Sequence, residues 1–237
     1  MEKIVIERSV VFVSSEEVGK YADEEIAIKI GLVTRNKEKV DREPILSDLI
    51  RYKPLIKAGI IDDSWEEQTF PEYTDGFAKI SYENGISFDS VPDKLTVRDT
   101  KPIDNDDFYN RVIKLYELIK KEGIKVYSFG MNFLVCREAD SATNDFASLY
   151  LTDILDNIDG DIVRDSLRVS YDLDNNKILN LKIFTNKAKN IKNVELSKEE
   201  CILVDANFHH SLQDSDLDFK IEIKKAEEKL NLIKSVS

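Results

Sequence analysis

Two stretches of this chain, displaced by 111 positions (219 minus 108), carry the same amphipathic pattern, and that displaced likeness constrains the fold more than any single motif. Near the middle, Asp107 precedes Phe108, Val112, Leu115 and Ile119; near the end, Asp218 precedes Phe219, Ile223, Ala226, Leu230 and Ile233. Apolar residues three and four positions apart line one stripe of a helix. An acidic side chain at the start of each stripe accepts bonds from free first-turn amides and suits the positive end of the helix dipole. Gly123 ends the first helix as a C-terminal stop.

What precedes each helix also matches. Leu95-Thr96-Val97-Arg98 and Ala206-Asn207-Phe208-His209 stand at the same displacement, and both alternate apolar with polar, the period of a half-buried strand. Upstream of each strand the pattern predicts a hairpin. In the first half Lys79 to Tyr82 turns at Asn84-Gly85, a dipeptide that favours a type I′ turn, into Ile86 to Phe88; in the second, Leu167, Val169, Tyr171 and Leu173 lead through Asp174-Asn175-Asn176 to Leu179, Leu181 and Ile183. Earlier still, each half holds a strand, Ile26 to Val33 or Val126 to Val135, then a helix, Pro44 to Ile56 (weakened by Pro54) or Phe146 to Ile158. A short strand, Ser9 to Val13, opens the first half.

The expectation is an α+β fold made of a duplicated strand-helix-hairpin-strand-helix unit, residues 1–123 and 124–237, joined into one continuous domain. A mostly antiparallel sheet would bury the helical stripes against one face and leave the other open. This arrangement resembles the two-repeat, helix-on-curved-sheet architecture of TATA-binding-protein-like folds, a likeness of architecture without a shared motif, which transfers no function.

Composition removes several functional classes. Lys+Arg 34 against Asp+Glu 46 gives a formal charge of −12, the wrong sign for general nucleic-acid binding, which neutralises phosphates with clustered cations, and for anionic lipid. With 42% hydrophobic residues the chain has enough apolar side chains for a core. No stretch approaches the roughly 18 apolar residues of a membrane span, and the N-terminus lacks a signal-like apolar region, so a cytoplasmic location is expected. Cys136 and Cys201 sit inside apolar runs, as buried thiols do. Lys182, Lys187, Lys189, Lys192 and Lys198 form the one local basic stretch, read as a solvated loop because no aromatic residues interleave for base stacking.

Catalytic and nucleotide signatures are absent from the sequence. The eight glycines stand at least seven residues apart, which excludes dinucleotide fingerprints, P-loops and Gly-x-Ser-x-Gly elbows, and two cysteines with two adjacent histidines cannot write paired zinc motifs. Two acidic runs, Asp172 to Asn176 and Asp214 to Asp218, imitate a calcium loop but lack its Gly and its closing Glu. One constellation remains: on a strand, Asp205, Asn207 and His209 share a face, where imidazole and carboxylate are candidate divalent-metal ligands or a base. Trp65, in the acidic loop Asp62 to Glu67, is a candidate partner contact or a loop anchor.

The leading expectation is therefore a non-catalytic protein-binding or assembly module without a cofactor, using the open sheet face or acidic loops to hold a protein partner, a basic one included. Exposed sheet edges also suit a homodimer. The chief alternative is a divalent-metal-dependent hydrolase or phosphodiesterase using Asp205 and His209. A further alternative is a small-molecule binder with a pocket lined by Phe12, Tyr82, Phe88, Tyr127, Phe129 and Phe133.

Overall fold

A computed structural model of the chain describes residues 3–14, 46–50, 52–68, 72–74, 77–91, 93–102, 105–150, 166–174, 177–191, 195–212 and 219–235. The expected strand Ile26 to Val33, the helical residues Leu151 to Ile158 and the acidic run Asp214 to Asp218 lie outside them. In chain order the elements are β1 (Lys3–Val13), α1 (Leu46–Leu49), α2 (Tyr52–Lys57), β2 (Glu72–Thr74), β3 (Phe77–Ser81), β4 (Ile86–Val91), β5 (Lys94–Asp99) and α3 (Asn105–Lys121). Then come β6 (Ser128–Ala139), α4 (Ala142–Tyr150), β7 (Ser166–Asp174), β8 (Lys177–Lys187), β9 (Glu200–Ser211) and α5 (Phe219–Ser235).

Among the described residues the strands form one nine-stranded sheet in the order β2-β3-β4-β5-β1-β6-β9-β8-β7, with each of these pairings antiparallel. β1 and β6 lie side by side at the centre. Beside β1 runs β5, which leads to α3; beside β6 runs β9, followed by α5. The chain is therefore a mixed α+β fold with one continuous antiparallel sheet.

Alternation within the strands decides which face is covered. In β5 the buried residues are Leu95, Val97 and Asp99; in β9 they include Ile202, Val204, Ala206, Phe208 and His210. Against that face pack Leu46 and Leu49 of α1, Leu55 of α2, the α3 stripe Phe108, Val112, Leu115 and Ile119, Phe146 of α4, and Phe219, Ile223 and Ala226 of α5. Burying each large apolar side chain contributes roughly 1.5–3 kcal/mol, which fixes the helices to this side. Helices from both halves meet there: Phe219 of α5 stacks on Tyr116 of α3 with centroids 4.9 Å apart, and Phe12 of β1 lies 5.6 Å from Phe219.

Several local readings need correction. The hairpin at Asn84-Gly85 has a three-residue loop in place of a two-residue type I′ turn. Tyr82 N–H donates to the Ile86 carbonyl at 2.9 Å, Gly85 N–H to the Tyr82 carbonyl at 3.1 Å, and Gly85 takes φ 93°. Asn84 Oδ1 caps the turn by accepting from Ile86 N–H at 3.0 Å. The helix expected from Pro44 to Ile56 is split into α1 and α2, with Pro54 in the first turn of α2, where a missing N–H costs nothing. β1 is longer than expected, because a bulge between Val5 and Glu7 absorbs a break in its alternation. Gly123, at φ 76°, does end α3, its N–H bonding the Lys120 carbonyl at 3.0 Å.

Candidate functional site: the open face of the sheet

On β9, the residues opposite in parity to the core positions are Cys201, Leu203, Asp205, Asn207 and His209, so Asp205, Asn207 and His209 stand on the face away from the helices. Register sets their neighbours. Asp205 lies between Leu134 of β6 and Lys182 of β8, Asn207 between Asn132 and Asn180, and His209 between Gly130 and Ile178.

The middle row continues in both directions. Ser9 of β1 pairs with Asn132, and Ser170 of β7 with Asn180, so Ser9, Asn132, Asn207, Asn180 and Ser170 run straight across five neighbouring strands. Asn132 Nδ2 donates to Ser9 Oγ at 3.2 Å, Asn207 Nδ2 donates to Asn132 Oδ1, and Ser170 Oγ donates to Asn180 Oδ1 at 2.7 Å. Each amide retains groups for further bonds, since a side-chain amide offers two donor hydrogens and two acceptor lone pairs. Ser9 itself is only 7% exposed, so the row sinks toward β1 and opens toward β7.

Charges flank this row. Arg98 of β5 pairs with Glu7 of β1 at 3.2 Å, and Lys182 of β8 stands opposite Asp205. Partial burial on the sheet pushes the Asp205 carboxyl up from its ordinary value, with Lys182 opposing, and burial pushes the His209 imidazole down. His209 is accordingly neutral near pH 7 and competent as a hydrogen-bond acceptor. Its distance from Asp205 limits joint chemistry: four residues of strand span about 13 Å, too far for both to ligate one ion directly. Among the described residues, no three His, Cys, Asp or Glu side chains converge as a metal-holding group.

Over β3 to β5 the same face forms a shallow groove of about 280 Å³ lined by Lys79, Ser87, Asp89, Val91, Lys94, Thr96 and Arg98. At the opposite end the face is covered, contrary to a wholly open sheet. Ile6, Cys136, Cys201 and Leu203 form a second buried cluster, roofed by Ile191 and Leu196 from the segment between β8 and β9. The lysine-rich stretch is only partly a loop: Lys182 and Lys187 belong to β8, and Ile191 and Leu196 pack onto the second cluster, while Lys192 lies outside the described residues. Glu138 clamps the segment by accepting from Ser197 N–H, from Ser197 Oγ at 3.0 Å and from Lys198 N–H at 3.2 Å, while Lys198 pairs with Asp140. These bonds hold the Glu138 carboxyl below its ordinary range.

Trp65 lies elsewhere, at the margin of the helix-side core. Its ring meets Tyr82 edge-on at 5.2 Å, and the Arg111 guanidinium covers it at 4.5 Å while also donating to the Ile60 carbonyl at 2.8 Å. These contacts are those of a loop anchor. Phe12, Tyr82, Phe88, Phe129 and Phe133 are all buried in the helix-side core, each at 2% exposure or less.

The amide row is the feature that residue-by-residue reading passes over. Its signal is in the sequence: an Asn flanked by apolar residues recurs in Met131-Asn132-Phe133, Leu179-Asn180-Leu181 and Ala206-Asn207-Phe208. In a strand, each such Asn must face away from the core that buries its neighbours. A comparison of the chain with protein families and with curated proteins finds no match. Among the described residues no helix is long and apolar enough to cross a membrane.

Proposed function

We propose that this chain is a non-catalytic protein-binding or assembly module whose contact surface is the face of its sheet that carries no helix among the described residues, centred on Asn132, Asn207 and Asn180. The amide and hydroxyl row supports the reading, because aligned amides with unused donors and acceptors complement the polar groups of another protein without covalent chemistry. The size also suits it. Eight strand spacings of about 4.8 Å give roughly 38 Å across, and about six residues along each strand give roughly 20 Å, near the 800 Å² per partner of a stable interface. Paired charges of both signs on this face favour a polar partner of mixed charge over a strongly basic one, and the overall acidity disfavours nucleic acid. We further propose that residues 1–123 and 124–237 are copies of one unit, related about the β1–β6 pair, since the strand order read outward from that pair is alike on both sides.

The test is capture from a cell extract by the immobilised full chain and by an Asn132→Arg/Asn207→Arg variant of unchanged fold. Proteins retained by the first and lost by the second are expected. The metal-hydrolase alternative predicts instead a divalent-ion-dependent activity abolished by His209→Ala, and finding one would overturn the non-catalytic reading.

A further inference from the structure

Among the described residues β7 has β8 on one flank and no strand on the other, which places it at the edge of the sheet. The strand at the far end, β2, is three residues long, whereas β7 has nine. In a strand paired on one flank, alternate residues turn N–H and C=O toward the other flank, a template for one more strand. Lysine, proline or a central bulge commonly blunts such an edge. β7, Ser-Leu-Arg-Val-Ser-Tyr-Asp-Leu-Asp, has neither lysine nor proline, and its bulge, between Asp172 and Asp174, lies at the hairpin end, so the register is regular from Ser166 to Asp172.

What this strand presents is complementary to itself. Set antiparallel against a second β7 and centred on Ser170, it brings Arg168 opposite Asp172 twice, Val169 opposite Tyr171 twice, and Ser170 opposite Ser170. Directly opposed residues of an antiparallel pair share a face, where opposite charges attract and an aromatic ring packs on a β-branched side chain. A centre at Val169 would set Ser170 against Arg168, and a centre at Tyr171 would set it against Asp172, so the Ser170 centre is the one that matches the charges. Arg168 has use for a carboxylate on its outer flank: its neighbour on β8 is Lys182, a like charge directly opposite, and among the described residues neither Arg168 nor Asp172 has an ion-pair partner. On the helix side of the sheet Tyr171 is 49% exposed although it pairs with Leu179, a member of the main core at 7%. The Val169 side chain of a second copy would cover that ring.

We propose that β7 pairs with β7 of a second copy of this chain in that register, joining two nine-stranded sheets into one about a two-fold axis that passes through Ser170 perpendicular to the sheet. Such an axis makes the contact closed and self-complementary and keeps both helix layers on one side. The polar row of Ser9, Asn132, Asn207, Asn180 and Ser170 then runs on across the axis into Ser170 and Asn180 of the second copy. The edge contact stands apart from the sheet-face proposal, because it uses the strand's flank and leaves that face uncovered.

The experiment is sedimentation equilibrium of the full chain across a wide concentration range at physiological salt. A reversible monomer–dimer equilibrium is expected. Arg168→Asp and Asp172→Arg, both at exposed positions where the fold should persist, each replace two attractive pairs with two repulsive ones and should weaken self-association roughly tenfold or more. Mixed together, these two variants should associate with each other, because one carries two carboxylates and the other two guanidinium groups, and the double variant Arg168→Asp/Asp172→Arg should regain self-association. A wild-type chain that stays monomeric at the highest concentration, a dimer that Arg168→Asp leaves intact, or single variants that do not associate when mixed would overturn the proposal. None of those results would bear on capture through the sheet face.

Discussion

The Arg8 guanidinium and the Asp99 carboxylate, 91 positions apart, meet at 2.8 Å directly across the β1–β5 pair, both almost fully buried under α3. Asp99 also accepts from Lys101 N–H at 2.9 Å, and the Phe108 ring covers the guanidinium at 4.5 Å. Taking two charges out of water is expensive, so the pair adds little net stability compared with apolar residues, but removing one partner strands the other. Asp99→Ala should therefore lose about 3–5 kcal/mol in urea unfolding, and Arg8→Met/Asp99→Leu less than that single variant. A loss below about 0.5 kcal/mol for Asp99→Ala would contradict this account of the β1–β5 register.

His210 gives the fold a defined acid response. Burial outweighs the attraction of Glu222 and lowers the imidazole to about 4, with Lys177, His209 and Lys229 adding to the lowering; Lys225 also lines the small cavity at His210. Because the folded value lies below the ordinary 6.5, the unfolded chain takes up this proton first. Stability is then full above about pH 6.5 and is lost as pH falls toward 4, by up to about 3 kcal/mol. Glu222 acts in the same direction at lower pH: burial pushes its carboxyl up, but the bonds from Lys225 and Lys177 outweigh burial and hold it low. Urea melts between pH 4 and 7.5 should show a slope that His210→Leu flattens; parallel curves for the two proteins would refute the assignment.

Two glycines with positive φ should respond differently to alanine. At Gly85, φ 93°, a Cβ would stand 2.9 Å from Lys101 Cβ and Cγ, whereas at Gly123, φ 76°, nothing lies within 4 Å. Gly123→Ala should cost about 1 kcal/mol for backbone conformation alone, and Gly85→Ala up to about 3 kcal/mol from conformation and collision together. Equal losses would show that the β3–β4 loop gives way.

Cys136 and Cys201 are reduced and buried side by side in the second cluster, with Cys201 Sγ donating to the Asn186 carbonyl at 3.5 Å. Its hydrogen bond with Cys201, together with burial, pushes the Cys136 thiol up, which disfavours the reactive thiolate. A thiol reagent should react only as fast as the chain opens in native buffer, and with two equivalents at once in urea. Immediate reaction of one equivalent in native buffer would mean that Ile191 and Leu196 do not seal the cluster.

Much of the secondary structure is legible in the sequence because it rests on periodicity. The α3 stripe and the alternation of β5 and β9 each follow from a local pattern, and each lies where that pattern predicts. Elements fixed by distant partners are harder to read. β6 runs on through Arg137 and Glu138 because β1 and β9 pair with it there, and the lysine-rich segment before β9 folds down because Ile191 and Leu196 find Cys136 and Leu203 across the sheet. The shared face of Asp205, Asn207 and His209 follows from parity along one strand. Their neighbours Asn132 and Asn180 depend on inter-strand register, which no local pattern encodes.

The proposed contact surface is the sheet face opposite the described helices. Its most direct measurement is the affinity of a captured partner for the wild-type chain, for Asn132→Arg/Asn207→Arg, and for Lys229→Gln on the helix side as a control, by calorimetry at fixed salt. The account predicts a loss of roughly tenfold or more for the sheet-face variant, as expected when central contact residues are replaced, with the control unchanged. Equal affinity for the wild type and the sheet-face variant would contradict it.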